Sequence, residues 1–210
     1  MITYDYLTDG AEIYRRSFAT IREEADLSSL PPDVAQVAVR MIHAAGQTDL
    51  PASLAYSPNI VGACRAALRD GAPILCDSQM VASGIIRSRL PAGNEVVCHM
   101  GDPRLAELAA ELGTTKAAAA VDLWRPQLEG AVVAIGNAPT ALFRLLEVVR
   151  DTGVKPAGVI GIPVGFVGAA ESKQAAADNP YGLEYLVLHG RRGGSAITSA
   201  AVNAISSETE

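Results

Sequence analysis

Three histidines, His43, His99 and His189, are the side chains best suited to move a proton near neutral pH, because imidazole ordinarily titrates in that range. His43 lies in the run Val39-Arg40-Met41-Ile42-His43-Ala44. On a helical wheel at about 100° per residue, residues 34–45 gather Val34, Ala38, Met41 and Ala45 on one side and turn His43 to the other, beside Gln36 and Arg40. A histidine facing away from the stripe that fastens its helix to a core is either simply hydrated or open to a ligand, and Arg40, one turn earlier, sets a fixed positive charge beside it that makes the imidazolium a better acid without deciding its role. A general acid is the chemistry this pair suits. His99 precedes Met100-Gly101-Asp102-Pro103 at a strand exit, and His189 closes a strand beside Arg191 and Arg192; both read as structural or peripheral.

Other reactive types gather in loops: Asp77-Ser78-Gln79-Met80, Gly136-Asn137-Ala138-Pro139-Thr140, Pro163-Val164-Gly165-Phe166-Val167-Gly168 and His189-Gly190-Arg191-Arg192-Gly193-Gly194-Ser195. Small residues before a helix leave backbone N–H groups open to anions, although the same residues also make ordinary turns and caps. Neither Gly-x-x-x-x-Gly-Lys-Ser/Thr nor Gly-x-Gly-x-x-Gly after the first strand occurs, which weakens a nucleotide enzyme. Gly-x-Ser-x-Gly and His-Glu-x-x-His are also missing. Cys64, Cys76 and Cys98 are an odd set without a Cys-x-x-Cys pair, so buried thiols are expected rather than a disulfide framework or zinc cage.

The elements that must position these residues follow from periodicity. Apolar residues Ile13, Tyr14, Phe18, Ile21 and Ala25 predict a helix over 9–25 with Asp9 as its N-cap. A second helix should start at Pro31-Pro32-Asp33 and stop at Gly46. Short strands, apolar on both faces, are expected at 73–76, 95–98, 131–135, 158–162 and 185–188, with helices between them. Such strands, joined by helices, predict a parallel sheet covered on both sides: a three-layer α/β/α domain with five mainly parallel strands. Its 210 residues suit one domain, at roughly 100–200 residues each, with residues 1–60 as a helical prelude. With 49% hydrophobic residues the chain can bury a large core, and a net charge of −6 argues against a nucleic-acid partner. Neither a secretory leader nor an apolar membrane span is visible, so a cytoplasmic protein without membrane partner is expected.

Several runs, in this order, resemble the precorrin-8X methylmutase (precorrin isomerase) family of cobalamin biosynthesis. They are Tyr4-Asp5-Tyr6, Ile13-Tyr14-x-Arg16-Ser17-Phe18, the His43 run, Gly71-Ala72-Pro73-Ile74-Leu75-Cys76-Asp77, Ile135-Gly136-Asn137-Ala138-Pro139-Thr140-Ala141-Leu142, the stretch from Gly161 to Lys173, and Gly190-Arg191-Arg192-Gly193-Gly194-Ser195. The resemblance implies a flavodoxin-like fold, a homodimer, and migration of a methyl group from C-11 to C-12 of precorrin-8X to give hydrogenobyrinic acid. It implies neither cofactor nor metal, and carries the family's catalytic acid onto His43. The acetate and propionate arms of such a tetrapyrrole would be met by Ser17, Arg40, Lys116, Asn137, Lys173, Arg191, Arg192 and Ser195. Ser17 could equally bond back to the Ile13 carbonyl, and Asn137 and Ser195 could equally be caps. Two rival readings are a non-catalytic protein that binds a tetrapyrrole and hands it to other corrin-pathway enzymes, and a flavodoxin-like nucleotide or flavin binder.

Overall fold

The computed structural model describes residues 4–207. Among them lie six strands: β1 (Leu54–Tyr56), β2 (Ile74–Cys76), β3 (Val96–Val97), β4 (Val132–Ile135), β5 (Gly158–Gly161) and β6 (Tyr185–Leu188). They pair in the order β1-β6-β5-β4-β2-β3. The last five in chain order are parallel to one another and occupy positions 2-1-3-4-5 across the sheet, the flavodoxin-like doubly wound arrangement. The α/β layering is as expected; the strand count is not. β1 runs antiparallel to β6, with Leu54 opposite Leu188, so the first sixty residues are not wholly helical. Three residues following a 3-10 turn (Leu50–Ser53) are too few to show a period, and it is the free edge of β6 that makes them a strand.

Nine helices surround the sheet among the described residues: α1 (Gly10–Glu24), α2 (Pro32–Ala45), α3 (Ile60–Arg69), α4 (Gln79–Gly84), α5 (Leu105–Glu111), α6 (Lys116–Asp122), α7 (Pro139–Thr152), α8 (Ala169–Asp178) and α9 (Ser195–Ile205). Alternate strand residues feed opposite layers. Ile74, Cys76, Val132, Ala134, Ile160 and Leu186 pack with α2, α3, α4 and α9. Leu75, Val133, Ile135, Val159 and Val187 pack with α6, α7 and α8. Both sets are buried, which is why the strands show no in–out alternation in sequence. Cys64 and Cys76 are free and buried, and burial pushes the Cys64 thiol up to about 12, leaving it inert; Cys98 is half-buried.

The first two helices are capped as expected. Asp9 accepts hydrogen bonds from the Ala11 and Glu12 N–H groups at 2.9 and 3.3 Å. Gly46 ends α2 at φ 65°, a conformation that favours glycine, and its N–H reaches the Ile42 carbonyl at 2.7 Å. α1 does not stand apart from the core: it lies across α2, which in turn packs closely on α9. Consequently the face of α2 that carries Arg40 is not open to water. Arg40 is 8% exposed, a correction to the wheel, which places it with His43 on an outward side.

Candidate active site

His43 stands in the last turn of α2 with its ring exposed, and one face of α1 holds it. Tyr14, Ser17 and Phe18, spaced three and four apart, all point at the imidazole. The Ser17 hydroxyl lies 2.9 Å from Nδ1. The Phe18 ring stacks on the imidazole at 5.0 Å between centroids and 26° between planes, and Tyr14 leans against it at 5.3 Å. Beneath this cluster the Arg40 guanidinium sits 5.7 Å from the Tyr14 ring centre and 5.6 Å from that of Phe18, a cation–π arrangement. Burial first, and then the charge of Arg89, pull its guanidinium below its ordinary proton affinity. Its Nη2 atom is buried and, among the described residues, has no hydrogen-bond partner.

A groove of about 400 Å³ opens beside His43, lined by Arg40, Ala44, Met80, Gly84, Ser199 and Asn203 among others. Its walls come from α2, α4 and α9. The start of α4 follows β2 and the start of α9 follows the β6 loop, so the groove reaches the carboxyl edge of the sheet, where ligands of open α/β sheets bind. Gly84 lets the two helices touch: a Cβ there would overlap Ser199. Asn203 locks the contact by accepting from the Ile86 N–H at 2.8 Å and donating to the Gly84 carbonyl at 2.9 Å. Met80, 73% exposed, offers apolar surface to a ligand. Two further hollows flank the cluster, one of about 290 Å³ on the Ser17 side of His43 and one of about 670 Å³ over Tyr14 and Phe18.

Of the remaining expected residues, Ser195 is near the groove, 9% exposed, its Oγ 3.4 Å from the Oγ of Ser78, the N-cap of α4. Lys116, the first residue of α6, is exposed. The Arg191 guanidinium covers the exposed Phe166 ring at 5.3 Å. Arg192 forms a two-pronged ion pair with Asp49, at 2.8 and 3.1 Å. Lys173 is fully buried and its Nζ donates to the Arg192 carbonyl at 2.6 Å; burial lowers its proton affinity to about 8. The Asn137 side chain is exposed, but its loop is not the open anion cradle expected there. Asp77, 1% exposed, already accepts from the Gly136, Asn137 and Ala138 N–H groups at 2.9, 2.8 and 2.7 Å. A side-chain carboxylate thus fills the topological switch point between β2 and β4, where a flavodoxin-like binder would seat its ligand. Burial pushes that carboxyl up, and the three donors pull it down less strongly.

The precorrin-8X methylmutase family model matches residues 12–208. The chain belongs to this family. It is 58% identical to the precorrin-8X methylmutase of a Sinorhizobium species, covering 98% of both chains, and 54% identical to that of Pseudomonas aeruginosa, covering 98% of this chain and 99% of that one. The cobalt-precorrin-8 methylmutase of Priestia megaterium matches at 36% over 93% of this chain and 86% of its own. The crystal structure of a precorrin-8X methylmutase from Thermus thermophilus superposes with a TM-score of 0.85 at 38% identity, over 94% of this chain and 95% of that one. The methylmutase fold and the isomerase class follow from this membership, and no described helix is long and apolar enough to cross a membrane.

Four residues in and around these loops and helices escape a reading of one helix at a time. Tyr14 and Phe18 look like core residues of α1, and only the crossing of α1 over α2 turns them into walls for His43. Asp77 carries a weak signal, an acid directly after an apolar strand, but its partners lie about sixty positions away. Asn203, inside an apolar helix, could have been noticed as a polar residue needing partners.

Proposed function

We propose that this chain moves a methyl group from C-11 to C-12 of precorrin-8X, giving hydrogenobyrinic acid, with His43 as the general acid. The observation that carries the reading is the His43 imidazole standing on the wall of a groove whose floor holds a buried cation, Arg40, with an unpartnered donor. The groove takes one face of a large, flat, apolar ring against Met80 and the aromatic cluster. Carboxylate arms then meet Arg40, Ser195 and the exposed Lys116 and Arg191. Protonation of a ring nitrogen by His43 favours the rearranged conjugation: the bond from the methyl to C-11 breaks as the bond to C-12 forms. No electrons leave the ring, and the borrowed proton is returned, so substrate and product are isomers. General acid catalysis contributes typically 10²–10⁴-fold, and confinement of the ring supplies the rest.

Metal-free precorrin-8X is favoured over a cobalt form because the relatives named for it match at 58% and 54%, whereas relatives named for cobalt-precorrin-8 match at 36% and 40%. A homodimer is the assembly we propose, supported by the exposed Phe166 and Val167, 84% and 88% accessible, in the loop between β5 and α8. The cytoplasm, and hand-over of product to other corrin-pathway enzymes, complete the reading.

The test is incubation with precorrin-8X, followed by absorption spectroscopy for a corrin product. His43→Ala should lower turnover by about 10²–10⁴-fold while the protein still binds the ring. Wild-type protein that binds without a spectral change would favour a carrier, and a His43→Ala variant with full turnover would remove the acid from the mechanism.

A further inference from the structure

Within the reading of His43 as the acid, we infer that Ser17 is a positioning residue: its hydroxyl fixes the imidazole so that Nε2 is the nitrogen presented to the ligand. The aromatic contacts from Phe18 and Tyr14 set the plane of the ring but not which edge faces which way. Turning the ring over about Cβ–Cγ exchanges a nitrogen for a carbon on both edges and leaves the stacking intact. Among the described residues, the hydrogen bond between Ser17 Oγ and Nδ1, at 2.9 Å, is what distinguishes the two orientations. With Nδ1 so engaged, Nε2 is the nitrogen left for proton transfer, since a partner on one nitrogen decides the role of the other.

A hydroxyl also suits a proton that must leave and return, because it can donate or accept. In the imidazolium, Nδ1–H donates to Ser17 Oγ. After Nε2 releases its proton, the neutral ring keeps the proton on Nδ1, and the same hydrogen bond persists. In the other neutral form, with the proton on Nε2, Ser17 reverses and donates to Nδ1. A carboxylate in this place would hold the imidazolium proton more firmly and oppose its release. Ser17 therefore aligns the acid without adding charge, and its hydroxyl bonds the imidazole rather than the Ile13 carbonyl.

The test uses Ser17→Ala and Ser17→Thr in the full chain. Ser17→Ala should lower kcat by about tenfold, the scale of one lost hydrogen bond, with KM unchanged, and Ser17→Thr should restore most of it. In the ligand-free protein, ¹⁵N spectra of His43 should show a single engaged Nδ1 in the wild type and in Ser17→Thr, and averaged ring nitrogens in Ser17→Ala. A raised KM with unchanged kcat in Ser17→Ala would make Ser17 a substrate contact and overturn the inference, as would ring-nitrogen signals identical to the wild type. The spectra do not depend on turnover: if His43 proved dispensable for catalysis, they would still report whether Ser17 orients it.

Discussion

Arg40 and Lys173 are both cations withdrawn from water, and their surroundings differ in a way that separates the proposed working part of the molecule from its frame. Lys173 meets a carbonyl oxygen at 2.6 Å, and the loop it grips is tied on by Arg192 to Asp49. Nearby, Asp77 closes three backbone donors. In that region polar groups satisfy one another. Around Arg40 they do so only in part: the guanidinium meets Tyr14 and rests near two aromatic rings, but one of its nitrogens has no partner among the described residues, and the neighbouring imidazole, though bonded to Ser17, is exposed. Unsatisfied buried donors are uncommon in finished structures because each costs stability, and a groove that retains one is suited to an acidic ligand. Residues of the same chemical type thus divide into those that hold the frame and those left available to a guest.

The sharpest break of this comparison is at Asp77. Removing its carboxylate in Asp77→Ala leaves three N–H groups without an acceptor, each worth about 1–3 kcal/mol when buried and unmet, against the relief of no longer burying a charge. A net loss of about 3 kcal/mol is expected, read as a lowered urea midpoint. An unchanged midpoint would mean that the loop after β4 has another acceptor and is not held by this residue.

Asp77 also shows where sequence stops informing. The ends of α1 and α2 were legible because Asp9, Pro32 and Gly46 act on their own neighbours. Strands β2 and β4 to β6 were legible because burial on both faces leaves an apolar run between turn residues, and the half-buried β3 keeps a short apolar run of its own. The helical period of α2 likewise placed His43 off the stripe that packs the helix on the core, and the residue is exposed. What stayed hidden depends on partners distant in the chain: β1 exists because β6 has a free edge, Arg40 is buried because α1 crosses it, and the Gly136 to Ala138 donors are occupied because Asp77 folds against them. Lys173, read as a possible ligand contact, sits on a helix whose apolar stripe is too weak to predict that a lysine would turn inward.

Lys173 gives a pH-dependent test of the frame. Its proton affinity falls from the ordinary 10.5 to about 8 on folding. Between those values the unfolded chain binds the proton and the folded chain does not, so this residue makes stability rise with pH across the window, by about 3 kcal/mol in full. The difference in unfolding free energy between wild type and Lys173→Met should therefore grow in favour of the wild type from pH 8 to pH 10.5. Parallel curves would show that Lys173 carries its charge unhindered and is not the enclosed strut described above.

The mirror-image substitution, Arg40→Met, separates the two regions by sign. Methionine roughly follows the aliphatic path of arginine, fills the space under Tyr14 and Phe18, and favours contact with aromatic faces. It also removes a buried charge whose Nη2 atom has no hydrogen-bond partner among the described residues. Replacing inadequately paired buried charge with apolar volume is commonly neutral or stabilising, so melting should stay within about 1 kcal/mol of the wild type or move upward. On the proposed function, ligand binding should weaken instead, because carboxylate arms would lose the buried cation that lines the groove. A charge-assisted hydrogen bond of about 1.5–3 kcal/mol corresponds to a rise in Kd of roughly 10- to 100-fold. Stability falling with binding unchanged would place Arg40 in the frame beside Lys173 and dissolve the distinction; binding falling with stability held would establish that its isolation within the fold serves the guest.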